Sequence, residues 1–309
     1  MYRSLCFGYA DSIARRRGKG KCKYWKQSKK LFLTSFFRSP YNVAKSFERG
    51  YFLKNYFDLS GRVALVTGAS TGLGVQMAKA LANQGCSIVC LARRKNLVDE
   101  NAAALEKEFG VKAIGIACDI TDTDAVNAAV DEILEKLGRI DILINNAGTG
   151  GVVPAEEMPD ATFLNEVNID LFGTFKMARA VAAKAMIPAK YGRIINIASM
   201  YGLVGNKIAP SSAYHAAKGG VVNLTRALAA EWGDKGITVN SICPGYFETP
   251  LTKETLSSEF FQNYARTMIP MARYGQEGEL DVAAIFLASP CATYVNGVIL
   301  PVDGGYTCM

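Results

Sequence analysis

At 309 residues, with 50% apolar and 20% charged residues, the chain has material for a sizeable core and falls outside the disordered class. Its net charge of +7 is concentrated at one end: residues 1–60 carry 14 Lys and Arg against 3 Asp and Glu, and the rest carry 21 against 25. A nucleic-acid partner would have to be read by that leader alone, and none is expected. Cys6, Cys22, Cys86, Cys90, Cys118, Cys243, Cys291 and Cys308 form no Cys-x-x-Cys pair, which suits reduced thiols and a cytoplasmic location. His215 is the single histidine, so a multi-histidine metal site is excluded and no metal is expected.

The leader reads "RRRGKGKCKYWKQSKK" and then "LFLTSFF". That seven-residue apolar stretch falls far short of the roughly 20 residues needed to span a bilayer, so no membrane partner is expected. It also lacks a signal-peptide core followed by a small-residue cleavage site. An organellar transit peptide is the lesser reading of its Arg-rich, acid-poor composition. Residues 1–55 are expected to be a disordered or non-native basic extension, followed by a single domain over 56–309.

From Gly61 onward strands and helices alternate. "RVALVTG" is a β-branched apolar run ending in glycine, as a strand buried on both faces requires. "GVQMAKALANQG" has helical periodicity and closes on Gly85. "SIVCLA" is the second strand, followed by the helix "LVDENAAALEKEFG". "KAIGIACDI" is the third, and the helix after it opens on Thr/Asp residues suited to an N-cap. "IDILINNAG", "GRIINIAS", "ITVNSICPG" and "GVILPVDGG" supply four more strands, with helices around 160–187 and 212–233. This alternation predicts an α/β fold of three layers, a Rossmann-type doubly wound parallel sheet between helices.

The turn after the first strand reads "TGASTGLG", residues Thr67 to Gly74. Glycines there let the backbone turn sharply and approach a ligand, and the helix start offers free N–H groups to a phosphate. At the end of the second strand a dinucleotide site selects its ribose: an acid suits NAD, an arginine suits the extra phosphate of NADP. Here Arg93 and Arg94 follow the strand and no acid does. NADP(H) is therefore favoured, through Arg93 first and Arg94 second, with NAD(H) the alternative.

Further on, "SSAYHAAKGG" sets Tyr214 and Lys218 at i,i+4 on a helix of small residues. A cation beside a phenol favours the ionised phenol, which makes the pair a candidate proton-transfer device.

With "TGASTGLG", "NNAG" at 145–148, Ser199, Tyr214-x-x-x-Lys218 and "PG" at 244–245 in this order, the chain resembles the short-chain dehydrogenase/reductase family from about Leu59 to its C-terminus. The resemblance implies a catalytic tetrad of Asn168, Ser199, Tyr214 and Lys218. It implies cofactor contacts from Thr67, Gly68, Ser70, Thr71, Gly72, Leu73 and Gly74 in the phosphate loop, and from Arg93 and Arg94. Asp119 and Ile120 would reach the adenine end; Asn146, Ala147 and Gly148 would line the cleft after Asn145. Tyr214 and Lys218 would hold the nicotinamide side, with Pro244, Gly245, Phe247 and Thr249. "VDGG" at 302–305 matches the closing signature.

The implied activity is an NAD(P)-dependent interconversion of a secondary alcohol and a ketone, with Tyr214 as general acid/base and a small molecule as substrate. The pattern is most similar to bacterial gluconate 5-dehydrogenases, which suggests a keto-sugar acid or polyol such as 5-ketogluconate. A hydroxysteroid or bile-acid dehydrogenase and a 3-oxoacyl-carrier-protein reductase are the alternatives, and a cofactor-binding sensor the non-enzymatic one. The resemblance also implies a homotetramer built on the helices around 160–187 and 212–233. Tyr246, Phe247, Leu251, Leu256, Phe260, Phe261 and Tyr264 line an apolar slot or, at helical spacing, pack a core.

Overall fold

The computed structural model describes residues 55–250 and 252–309. The leader and Leu251 lie outside the described residues. Seven strands form one sheet: β1 (Val63–Thr67), β2 (Ser87–Ala92), β3 (Ala113–Ala117), β4 (Ile142–Asn145), β5 (Gly192–Ile197), β6 (Ile237–Pro244) and β7 (Ile299–Val302). Every pairing is parallel and the order is β3-β2-β1-β4-β5-β6-β7. The chain winds outward from β1 to β3, then returns to start β4 on the other side of β1. That reversal opens a crevice at the carboxyl ends of β1 and β4, where open α/β sheets bind their ligands.

Because side chains alternate along a strand, each apolar run feeds two cores. Val63 and Leu65 of β1, with Leu143 and Ile194, meet Val130, Ile133, Met177 and Trp232 on one face. Ala64 and Val66, with Ile144 and Ile242, meet Met77, Leu81, Leu105 and Leu287 on the other. Burying each large side chain contributes about 1.5–3 kcal/mol, which explains why these strands read as unbroken apolar stretches. The predicted three-layer fold is thus what forms, with helices on both faces.

Helix Thr123–Leu137 starts on the predicted cap: Asp122 accepts from the amides of Asp124 and Ala125. The predicted helix around 160–187 is less regular. It comprises α-helix Asp160–Val167, a π-helical turn Asn168–Gly173, α-helix Thr174–Val181, a second π turn Ala182–Met186 and a final turn Ile187–Ala189. Each π turn adds a residue to the helical repeat and rotates the next helical segment about the axis.

At the amino ends of the central strands a charged cluster ties β1, β4 and β5 together. Asp141, 3% exposed, accepts from Arg62 Nη1 at 3.0 Å, from Arg139 at 2.7 and 2.6 Å, and from the Val63 amide at 2.9 Å. The Tyr191 ring lies under the guanidinium groups of Arg62 and Arg193, at 4.3 and 4.6 Å.

Candidate active site

The turn between β1 and helix Leu73–Asn83 is shaped by three glycines. Gly68 and Gly72 adopt φ of 67° and 64°, in the left-handed region that other residues resist. Gly74 is needed for contact: a Cβ there would lie 2.6 Å from both the Gly68 carbonyl oxygen and Asn146 Nδ2. Asn146 Nδ2 donates to the Thr67 carbonyl at 3.0 Å, which locks the turn to the end of β4. Thr67 works behind this turn: its Oγ1 accepts from the amides of Asn146 and Ala147, both at 3.0 Å.

In front of the turn lies a cleft of about 700 Å³. Of the predicted contacts, Gly68, Ser70, Thr71, Gly72, Arg93, Arg94, Asp119, Ile120, Asn146, Ala147, Gly148 and Thr249 line it. Cys118, Thr121, Thr149 and Pro250 line it too, unanticipated because loop residues next to a motif carry no periodic signal, as does Asn165 from helix Asp160–Val167. Leu73 and Gly74 open the helix behind the loop. Pro244 ends β6, and a Cβ on Gly245 would lie 2.7 Å from the Asp303 backbone, so both brace the neighbouring strand end.

Phe247 turns its side chain inward. It is 6% exposed and belongs to the main core, against Gly275, where a Cβ would sit 2.4 Å from its ring. Its apolar ring is better buried than held at a polar cleft.

The two arginines also differ in setting. Arg94 Nη2 donates to Ser70 Oγ at 2.9 Å and reaches Thr71 Oγ1 at 3.5 Å, which fixes its guanidinium over the phosphate loop. Arg93 acts on Asp119, whose carboxyl is held low by the Thr121 amide, with the Thr121 hydroxyl and the Arg93 charge also contributing. Of the two, Arg94 is the one pre-positioned over the phosphate loop.

Tyr214 and Lys218 sit in helix Ser212–Trp232 on the predicted common face. Lys218 is 4% exposed, donates to the Ile197 carbonyl at the end of β5 at 3.0 Å, and holds its ammonium 5.5 Å from the Tyr214 ring centroid. Ser199 follows β5 and is also buried. Its Oγ accepts from the Tyr201 amide at 3.1 Å, which leaves its O–H free to donate. Close packing of small residues holds this arrangement: a Cβ on Gly202 would meet the Lys218 carbonyl at 2.7 Å, and one on Gly220 would meet Leu171 at 2.6 Å.

Asn168 lies on the cleft wall at the start of the π turn. Asp170, two residues further on, is set against Lys218. Three glycines make room there. A Cβ on Gly148 would lie 2.7 Å from Asp170 Oδ1 and 3.2 Å from Lys218 Nζ; one on Gly150 would touch the Tyr214 ring at 3.0 Å; one on Gly151 would touch Glu166 Oε1 at 3.1 Å. The readable signal for Asp170 was an acid between the apolar Ile169 and Leu171.

Tyr201, which follows Ser199, joins a chain of hydroxyls. Tyr201 shares hydrogen bonds with the Tyr246 hydroxyl and Asn206 Nδ2, and its ring stacks on His215 at 4.6 Å. Tyr246 packs edge-on to Phe261, Tyr264 and Tyr306. Burial pushes Tyr201 and Tyr246 well above the ordinary phenol range and Tyr264 up to about 12, so all remain donors. Leu256, Phe261 and Tyr264 form a small core of their own and Phe260 is 67% exposed, so the packing reading holds for this segment.

The dinucleotide cleft, the buried Lys218 and its phenol partner together decide the family, and the comparisons agree. Residues 68–307 match the family model described as enoyl-(acyl carrier protein) reductase. The chain belongs to the short-chain dehydrogenase/reductase family. It is 40% identical over 259 residues to galactitol 2-dehydrogenase (L-tagatose-forming) of Cereibacter sphaeroides, covering 82% of this chain and 98% of that one. It is 41% identical over 252 residues to gluconate 5-dehydrogenase of Gluconobacter oxydans, covering 81% and 96%. Among solved structures it is similar to a gluconate 5-dehydrogenase from Burkholderia cenocepacia in complex with NADP and tartrate, with TM-score 0.79, 37% identity and coverage of 82% and 98%. Like these short-chain dehydrogenases, the protein is an alcohol/ketone oxidoreductase.

Proposed function

We propose that this oxidoreductase uses NADP(H) to interconvert a secondary alcohol and a ketone on a small polyhydroxylated substrate, a keto-sugar acid or polyol of the 5-ketogluconate kind. The observation that carries the reading is Tyr214 beside the buried Lys218 ammonium, at the end of β5 next to the glycine-walled cleft. The cleft fits a dinucleotide: its volume is in the ligand range, its floor is a turn where added Cβ atoms would clash, and its rim carries Arg93 and Arg94. When bound, the nicotinamide cofactor supplies or accepts the hydride.

Tyr214 donates a proton to the carbonyl oxygen in reduction, or takes one from the alcohol in oxidation. Lys218 steadies the negative charge left on the phenol oxygen. Ser199 donates its free O–H to the substrate oxygen as charge develops there. The hydroxyls of Tyr201 and Tyr246 and the amide of Asn206 offer hydrogen bonds that suit a polyol more than a hydrocarbon skeleton. The relatives' names, gluconate 5-dehydrogenase and galactitol 2-dehydrogenase, support the same substrate class. A cytoplasmic location and a homotetramer are part of this reading; the exposed Phe163, Leu164 and Phe172 on the helix around 160–187 support the assembly.

The test pairs NADPH and NADH with 5-ketogluconate, oxo-bile acids and acetoacetyl thioesters, then repeats the best pair with Tyr214→Phe. Loss of about 10²–10⁴-fold in turnover with NADPH binding retained is expected. Unchanged turnover in that variant would refute the role of Tyr214.

A further inference from the structure

Asp170 is fully buried in the π turn, at 0% exposure. Its Oδ1 accepts from the Thr149 amide at 2.7 Å, and among the described residues its Oδ2 has no hydrogen-bond partner. A carboxamide would hold Thr149 equally well through its oxygen, without the desolvation that a buried carboxylate suffers. Fastening the loop therefore does not account for the acid. What the acid adds is charge, and the charge is aimed: Asp170 Oδ1 and Lys218 Nζ abut the same spot beside Gly148, no farther apart than the sum of the 2.7 and 3.2 Å already given.

We propose that Asp170 is a positioning residue of the catalytic site, whose charge offsets the Lys218 ammonium and so sets the pH range in which Tyr214 works as acid or as base. The inference rests on the proposed oxidoreductase chemistry of Tyr214. The groups facing Asp170 are Lys218 from helix Ser212–Trp232, Glu166 one turn earlier on its own helix, and the Thr149 amide from the loop after β4. Burial pushes the Asp170 carboxyl up, against the pull of Lys218 and of the Thr149 amide. Burial pushes Glu166 up as well, opposed by the Gly151 amide and reinforced by the Asp170 charge.

With Asp170 protonated, the full field of Lys218 draws Tyr214 toward phenolate, the form that takes a proton from an alcohol. With Asp170 ionised, part of that field is cancelled and Tyr214 keeps its proton for a carbonyl. Ionisation of the carboxylate thus tilts the site toward reduction. No electron or proton leaves the Tyr214–substrate pair through Asp170 in this scheme; it acts by charge alone.

Two measurements test the inference on the full-length protein. The first is the pH profile of kcat/KM for NADP-linked oxidation of gluconate, or of the best alcohol in the substrate screen, in wild type and Asp170→Asn. The acid limb should move to lower pH by about one unit, because the amide no longer opposes the phenolate; an unmoved limb overturns the inference and leaves the oxidoreductase reading intact. Should Asp170→Asn not fold, Asp170→Ser takes its place and should shift the limb the same way, with an unmoved limb again overturning the inference.

The second measurement needs no substrate: the melting temperature of Asp170→Asn minus that of wild type, followed from acid to neutral pH. A carboxyl whose folded-state pKa is raised contributes stability at low pH that is lost as pH rises through that value. The asparagine does not titrate, so the difference should grow in favour of the variant as pH rises. A flat difference overturns the inference whatever the substrate. Failure of every alcohol and ketone with wild type would overturn the proposed function instead, and the melting difference would still judge the charge at Asp170.

Discussion

Removing Arg94 measures how this chain selects its cofactor. The guanidinium is exposed but pre-positioned, with Nη2 on Ser70 Oγ at 2.9 Å above the phosphate loop. A ribose phosphate seated there gains a charge-assisted hydrogen bond worth about 1.5–3 kcal/mol. Through-space attraction between unit charges 4 Å apart adds about 1 kcal/mol in water and about 4 in a protein-like medium. Exposure favours the low end of both, so about 2 kcal/mol is the expected loss in Arg94→Ala, roughly thirty-fold in affinity. Fluorescence titration should show the NADPH dissociation constant rising by about that factor while the NADH constant changes less than about two-fold. Added salt should narrow the gap, since exposed charges are screened. Arg93→Ala should cost NADPH less, because Arg93 already acts on Asp119. Equal losses for both cofactors, or none, would refute phosphate selection by Arg94.

Packing sets two further outcomes. Gly148→Ala drives a methyl to 2.7 Å from Asp170 Oδ1 and 3.2 Å from Lys218 Nζ, so turnover should fall. Overpacking of this kind costs roughly 1–3 kcal/mol and lowers Tm by about 2–4 °C for each kcal/mol in a chain of this size, which calorimetry can check. Among the described cysteines, alkylation at neutral pH should label Cys291 and Cys308 and spare Cys86, Cys90, Cys118 and Cys243. Burial keeps the spared thiols protonated, with Cys90 pushed up to about 12 and Cys118 to about 11; peptide mapping of labelled Cys90 in folded protein would contradict this.

The sheet was legible because strands buried on both faces must be apolar throughout, and "RVALVTG" and "SIVCLA" announce that directly. Tyr214 and Lys218 were legible for a related reason: the helix that carries them keeps its α repeat, so four residues apart means one face. The helix around 160–187 does not keep that repeat: its π turn begins at Asn168, and Asp170 within it is set against Lys218. A change of helical repeat depends on how the helix packs on its neighbours, which local periodicity does not record. The burial of the Phe247 ring was not legible either, because its place against Gly275 is a contact between segments far apart in sequence. The hold on Arg94 likewise comes from Ser70, a residue on another loop.

The knot of Asp141, Arg62, Arg139, Tyr191 and Arg193 closes the opposite rim of the sheet from the cleft. With all strands running one way, the two rims stand a strand's length apart, about 13 Å along the four residues of β4. Anchorage and reactivity thereby fall to different ends of the same β-strands. The loops at the reactive rim are free to vary in pursuit of new substrates, because the bolts that keep the central strands in register are fastened elsewhere.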